Sequence, residues 1–335
     1  MNTRYKTSHF KRTTLSFIAL FIVTMTVSQA ALETITVGGK KFITIRSLKA
    51  NYGFGKMTRS GNNVELRNTK VKMTFTKGSR ICYMNGVKFE LSSHVSSSGS
   101  RLLISETDIS KMIDPILKPH FIPNARSFNT VIIDPGHGGV DAGAVNKSGT
   151  EARYNLNVAR TLQAGLKAKG FKVIMTRDSD VSRSLNERVA LANRYPNAIF
   201  VSIHFNASSR TSARGIETFT LSPVGVAHYG RGLKNSDFKQ RSGNYQDSAN
   251  IALATAIHGC MKERVEKYNV PDRGIKRARF SVLSSIKNPA ILVEGGFMSN
   301  PSEARLIEST VYQSTIATAI YEGIFKYRYA LNSRK

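Results

Sequence analysis

Val131-Ile132-Ile133 runs straight into Asp134-Pro135-Gly136, and His137 then stands ahead of Gly138-Gly139. Three β-branched residues predict a buried strand, and Asp-Pro-Gly ends it in an abrupt turn. Glycines on both sides of His137 allow backbone to approach the imidazole closely. In an open α/β sheet ligands gather outside the carboxyl ends of strands, which is where this histidine falls. The stretch therefore commits the chain to a sheet with a candidate site along one edge.

The rest of the chain builds that sheet. From Thr130 onward strand and helix patterns alternate. Glu151 to Lys169 reads as a helix with Leu156, Ala159, Leu162 and Leu166 on one face, closed by Gly170. Phe171 to Thr176 and Ile199 to Ile203 read as strands, with a helix over Ser184–Tyr195 between them. A strand is expected over Gly215–Leu221, a helix over Asp247–Tyr268, a short strand over Ala290–Val293 and a closing helix over Val311–Tyr327. The expected class is α/β: a three-layer domain with a mostly parallel or mixed central sheet and helices on both faces. A small β-rich domain precedes it. There, Val64–Arg67 and Val71–Phe75 alternate apolar and polar, and Asn85-Gly86 joins two strands in a hairpin. Ser92 to Ser100 reads as a loop and Ser110 to Leu117 as a short helix. The expected division is 31–118 for the β-rich domain, 119–129 for a linker and 130–330 for the larger domain.

Residues 1–30 resemble a signal peptide: Arg4, Lys6, Lys11 and Arg12, then an apolar Leu15–Val27, then Ser28-Gln29-Ala30. The apolar run is short and interrupted for a transmembrane helix, so no stable membrane insertion is expected after cleavage. The expected location is outside the cytoplasm, in a periplasm or at the cell wall. Lys and Arg outnumber Asp and Glu by 49 to 22, and removing residues 1–30 still leaves a formal +23. Such a surface draws polyanions. For an exported chain these are wall polymers, not nucleic acid. Cys82 and Cys260, the two cysteines, make no disulfide framework and no CxxC, so any metal must use His and carboxylate.

Partners for His137 exist. His204 follows the strand 199–203, Glu294 follows Ile291-Leu292-Val293, and Glu151 opens the helix after the His137 loop. Two imidazoles and a carboxylate hold Zn²⁺ with one position left for water, and a second carboxylate acts as the base. Glu151 also fits the closing position of a capping box with Ser148. His204 also fits a satisfied strand-end histidine. Glu294, placed between Ile-Leu-Val and Gly-Gly, is costly to bury unless paired or used. His94, His120, His228 and His258 read as surface residues.

Ile133–Gly139, Ser202-Ile203-His204-Phe205-Asn206-Ala207 and Leu292–Asn300 resemble, in order and spacing, the signature blocks of the zinc-dependent N-acetylmuramoyl-L-alanine amidases. The resemblance runs from about Asn129 to Tyr327. It implies one zinc ion held by His137, Glu151 and His204, with Glu294 as the catalytic carboxylate. The family's usual Asn-Glu or Glu-Lys near the second ligand is replaced here by Gly149-Thr150-Glu151-Ala152-Arg153. Asp272–Ala278 is similar to the family's basic groove strand, which implies substrate contacts from Arg273, Lys276 and Arg277, with Asn206 beside them. Some members carry a zinc-occluding helix where this chain has 222–248, whose Gly, Ser and Asn content disfavours such a helix and leaves a mobile lid as the alternative. The β-rich region is similar to the stalk domain named from copper amine oxidases, implying wall binding or spacing and no copper. The implied partner is peptidoglycan, and the implied reaction cleaves the amide between N-acetylmuramic acid and L-alanine. Another exported zinc peptidase or deacetylase, or a non-catalytic wall-binding protein, are the competing readings.

Overall fold

The computed structural model describes residues 31–123 and 126–332. The expected signal peptide over 1–30 lies outside them. Among the described residues no helix is long and apolar enough to cross a membrane.

One mixed sheet of eleven strands organises the molecule. Its order is Lys172–Met175, Thr130–Pro135, Ala198–Asn206, Ala290–Phe297, Ile216–Leu221, Asp272–Ala278, Val87–Glu90, Ile81–Met84, Lys72–Thr76, Asn63–Arg67 and Lys56–Ser60. The first four run parallel. Ile216–Leu221 then pairs antiparallel to Ala290–Phe297, and the last five strands are joined as antiparallel hairpins. The apolar runs of the parallel strands are what a sheet covered on both faces requires. Helices Glu151–Lys167, Asp247–Val265 and Thr310–Asn332 cover one face. Leu185–Asn193 and Ser281–Ser285 cover the other. The expected α/β class with a β-rich region ahead of it is what the chain adopts.

The β-rich region joins the large sheet directly. Val87–Glu90 lies parallel to Asp272–Ala278, with Ile275 opposite Phe89. Fully buried His258 ties the junction: Nδ1 meets Thr218 Oγ1 at 2.8 Å and Nε2 meets Asp272 Oδ1 at 2.9 Å. Asp272 Oδ2 in turn accepts from the backbone N–H of Lys88. The surface reading of His258 is thus corrected, because its helix packs that face against the sheet. One apolar core runs through both regions, from Leu66 and Phe89 to Ile203, Ile257 and Ile316.

Other differences are local. The serine-rich stretch contains the strand Ser96–Ser98, paired to Arg101–Ser105 in a second, four-stranded sheet. The helix expected over 110–117 begins earlier, at Glu106, and passes through a π-helical turn at Ile109–Ile113. No α-helix forms over 222–246; two 3₁₀ turns, Asn235–Phe238 and Ser242–Gln246, shape that excursion.

Candidate active site

His137 stands one residue beyond Gly136, past the end of Thr130–Pro135, in the left-handed region at φ 60°. That conformation costs a non-glycine residue about 1–3 kcal/mol and persists only where its surroundings fix it. Two buried arginines fix it. Arg188 donates from Nη2 to the His137 carbonyl at 2.8 Å and from Nη1 to the Pro135 carbonyl and to Asp134 Oδ1. Arg177 donates from Nε to the Pro135 carbonyl and from Nη2 to the carbonyls of Gly136 and Ala152, at 2.8 and 2.7 Å. The two guanidinium groups therefore clamp the His137 turn to the start of the helix that carries Glu151.

Glu151 is the first residue of that helix, where a carboxylate is favoured by the helix dipole. Thr150 is the cap: its Oγ1 accepts from the Arg153 N–H. The Ser148 capping box is therefore absent, and the Glu151 side chain is free to turn inward. Glu151 Oε1 lies 3.2 Å from His137 Nε2 and 2.9 Å from His204 Nδ1. Its Oε2 accepts from the Ala144 N–H. One donor atom from each of His137, Glu151 and His204 lies within 4.8 Å of the others.

The neighbourhood is shaped for this trio. A Cβ on Gly136 would overlap the His204 ring, and one on Gly143 would lie 2.7 Å from both Glu151 Oε2 and the His137 ring. Asp141 Oδ2 contacts His137 Nδ1 at 2.8 Å, which orients the ring and leaves Nε2 for the cluster. The Glu151 carboxylate beside it, and Asp141 behind, raise the His137 pKa to about 9. Burial disfavours the Glu151 anion, yet hydrogen bonds from His137 and His204 outweigh it and hold that carboxyl below its usual range. Two imidazole nitrogens, one carboxylate and an outer carboxylate form a donor set suited to a tetrahedral divalent ion.

His204 and Glu294 are direct neighbours across two parallel strands. Both lie inside strands that continue to Asn206 and Phe297, three and four residues past the ends expected for them. Glu294 is half-buried, but its Oε2 is sealed from solvent and has no hydrogen-bond partner. Burial, and then the negative charges of Glu151 and Glu217, raise its pKa well above the ordinary carboxylate value, against an opposing pull from Lys276.

Three of the four expected groove residues gather, around an acid that was not expected. Buried Glu217, opposite Glu294 in register, accepts from Arg273, from Lys276 Nζ at 2.5 Å and from Asn206 Nδ2 at 3.2 Å. Lys276 Nζ also sits 4.1 Å from the centre of the Tyr229 ring. Arg277, the next residue on the strand, points through the other face. It is buried near Asp108 and Asp247 and donates to the Lys111 carbonyl, so the structure does not bring it to the groove.

Residues 131–326 match the N-acetylmuramoyl-L-alanine amidase family. The chain is 28% identical over 249 residues to the N-acetylmuramoyl-L-alanine amidase AmiA of Escherichia coli, a match covering 66% of this chain and 86% of that protein. It is 32% identical over 198 residues to the amidase LytC of Bacillus subtilis, covering 59% of this chain and 35% of that one. The solved catalytic domain of CwlV, an N-acetylmuramoyl-L-alanine amidase from Bacillus (Paenibacillus) polymyxa var. colistinus, superposes with a TM-score of 0.50 at 30% identity. That match covers 60% of this chain and 98% of the domain. The matched segment makes up more than half of the chain and contains His137, Glu151, His204 and Glu294, and on that ground the chain belongs to the N-acetylmuramoyl-L-alanine amidase family.

Proposed function

We propose that this protein is an exported, zinc-dependent peptidoglycan amidase. It hydrolyses the amide joining the lactyl group of N-acetylmuramic acid to the L-alanine of the stem peptide. The observation that carries this reading is the pairing of the His137–Glu151–His204 cluster with an unpartnered carboxylate oxygen on the adjacent strand. Among the described residues no other group of three such side chains meets the geometry for an ion.

His137, Glu151 and His204 hold the ion in this scheme. Zinc held by such a trio supplies a Lewis acid that makes water nucleophilic near neutral pH. Glu294 moves the protons. Its Oε2 takes the proton that the attacking water gives up, then returns it to the nitrogen of the departing alanine. A carboxylate whose pKa burial and the nearby Glu151 and Glu217 charges raise above its ordinary value holds a proton more readily, which suits the return half of that transfer. Asp141 keeps His137 in the tautomer that presents Nε2. Glu217 holds Arg273 and Lys276 along the groove, where Arg273, whose side chain is 33% exposed, is the cation available to a substrate carboxylate.

Residues 31–118, joined through 119–129 to a catalytic unit over 130–330, form the wall-facing part in this reading. Removal of 1–30 on export fits a substrate that lies outside the cytoplasm. The test is to incubate the mature protein with purified sacculi, with and without a chelator, and identify the fragments. Stem peptides with free N-terminal alanine, lost on chelation and restored by zinc, are expected. Acetate release would instead mark a deacetylase. Binding without any release from zinc-loaded protein would mark a non-catalytic wall protein.

A further inference from the structure

The sheet that carries Glu294 does not end at the groove. Residues directly opposite one another across a sheet share a face, and strands stand about 4.8 Å apart. Glu294 stands opposite Glu217, and Glu217 opposite Gly274. Because Ile275 pairs with Phe89, Gly274 lies level with Lys88, and a Cβ on Gly274 would be 2.9 Å from the Lys88 carbonyl oxygen. The same row then passes through Tyr83, Thr74, Glu65 and Thr58. A line drawn from the proposed base thus crosses six strand intervals to Glu65, about 29 Å, without leaving one face.

Over the parallel strands this face is covered by helices whose apolar cluster includes Phe219, Ala278 and Leu292. That cluster contains no residue of the β-rich region, and there the face is bare. Tyr83 is 41% exposed and Thr58, Arg67, Lys56 and Lys72 are exposed. The bare face is polar and hydroxyl-bearing, with one exposed aromatic ring, Tyr83, a composition suited to sugars. Its charge is arranged by position. Lys56, Arg67 and Lys72 are partners in neighbouring strands, two residues along from the row through Thr58, Glu65 and Thr74, and Lys72 Nζ pairs with Glu65 Oε2 at 2.9 Å.

We propose that this bare face is a docking platform for the same peptidoglycan strand whose amide is cleaved at Glu294, an inference that rests on the amidase reading. The occupant is the glycan with its stem peptides: sugar faces lie against Tyr83 and the threonine rows, and stem carboxylates meet Arg67, Lys72 and Lys56. Two observations choose this occupant over free solvent: the row keeps to one face from Glu294 to Glu65, with buried Glu217 and Gly274 between, and the exposed cations Lys56 and Arg67 stand beside its end at Glu65.

Pelleting with purified sacculi tests it, using the full mature protein in chelator so that nothing is cleaved. The sacculi are first stripped of attached phosphate polymers. The triple variant Arg67→Glu, Lys72→Glu, Tyr83→Ala is expected to bind about ten-fold more weakly, with an unchanged melting temperature. A control with the same charge change at the opposite end of these strands, Arg59→Glu with Lys77→Glu, is expected to bind within two-fold of wild type. Equal weakening in both variants overturns the platform in favour of unspecific charge attraction. Unchanged binding by the triple variant overturns it outright, as does wild-type binding that appears only on unstripped sacculi. Fragment analysis with zinc-loaded wild type is a separate readout, so a protein that cleaves but ignores the platform changes, or docks through them without cleaving, identifies which of the two readings has failed.

Discussion

The two halves of the eleven-stranded sheet solve the same problem in opposite ways. In the antiparallel half, strands 56–90, every buried position is apolar and the polar residues alternate onto the bare face. In the half that includes the parallel strands, both faces are covered, yet Asp134, Glu217 and Lys276 are buried within strands and Arg177 and Arg188 beside them. Buried charge is expensive unless paired and hydrogen-bonded. All five are so paired: Asp134 with Arg188, Thr176 and Ser202, Arg177 with four carbonyls, Glu217 with Arg273 and Lys276. Two charges within these strands depart from that pattern: buried Arg277, whose Nε and Nη1 have no partner, and Glu294, whose sealed Oε2 has none. Of the two, Glu294 is the one paired in register with His204, which is where the proposed base has to stand.

The sharpest way to break that comparison is Glu294→Gln. Removing a general base costs about 10²–10⁴-fold in turnover, and zinc content measured on the purified variant should be unchanged. Full turnover in a zinc-loaded variant would reduce Glu294 to one more buried polar group. Next in size is Arg188→Met. It leaves the Asp134 carboxylate buried without its cation, a loss of about 3–5 kcal/mol by denaturant unfolding. It also frees the His137 carbonyl, so zinc affinity should fall by more than it does in a core variant of matched stability. Equal zinc affinity in the two would make the arginine clamp a stabilising device alone.

Leu66→Ala probes the other half. Leu66 is fully buried, so truncation should cost about 2–5 kcal/mol. Because one core and one sheet run through both halves, unfolding is expected to remain a single transition. Two separated transitions, with zinc raising only the later one, would show that the β-rich half folds by itself and merely touches the catalytic half.

Much of the site was legible because its pieces are local. Asp-Pro-Gly-His-Gly-Gly announces a turn with one imidazole, and Ile-Leu-Val-Glu-Gly-Gly announces a carboxylate where none should be buried idle. What escaped depends on pairing across distance. Glu217 carries no signal within its expected strand; Arg273 and Lys276 are set beside it only by a parallel neighbour 56 and 59 residues away. Nothing local marks Arg177 and Arg188; only the fold brings main-chain carbonyls of 135–137 onto them. Arg277 misled for the converse reason. The run Arg273–Arg277 looks uniformly basic, but strand alternation sends Lys276 and Arg277 to opposite faces. The junction of the two halves was invisible too, since a single parallel pairing at Phe89 leaves no periodic trace.

The excursion over 222–246 gives the smallest effect and asks whether the cover above Lys276 is fixed. Buried Asp237 holds it: Arg231 donates twice at 2.6 Å, the Lys234 N–H donates at 2.9 Å, and Arg279 Nε lies 2.8 Å away. The hydrogen-bonded Arg231 guanidinium is the main reason that the Asp237 carboxyl stays far below its usual range. A depressed folded pKa contributes stability that is complete above the unfolded value, about 3.9, and disappears as pH falls through the folded one. Asp237→Asn should therefore lower stability by a constant amount from neutrality down to about pH 4, and the gap to wild type should close as acid protonates Asp237 itself. Protease cleavage within 222–246 should rise over the same neutral range, since Tyr229 above Lys276 belongs to the segment that Asp237 ties down. A pH-independent gap, or unchanged cleavage, would leave the segment held by its apolar contacts, such as Tyr229 against Phe219, with Asp237 a bystander.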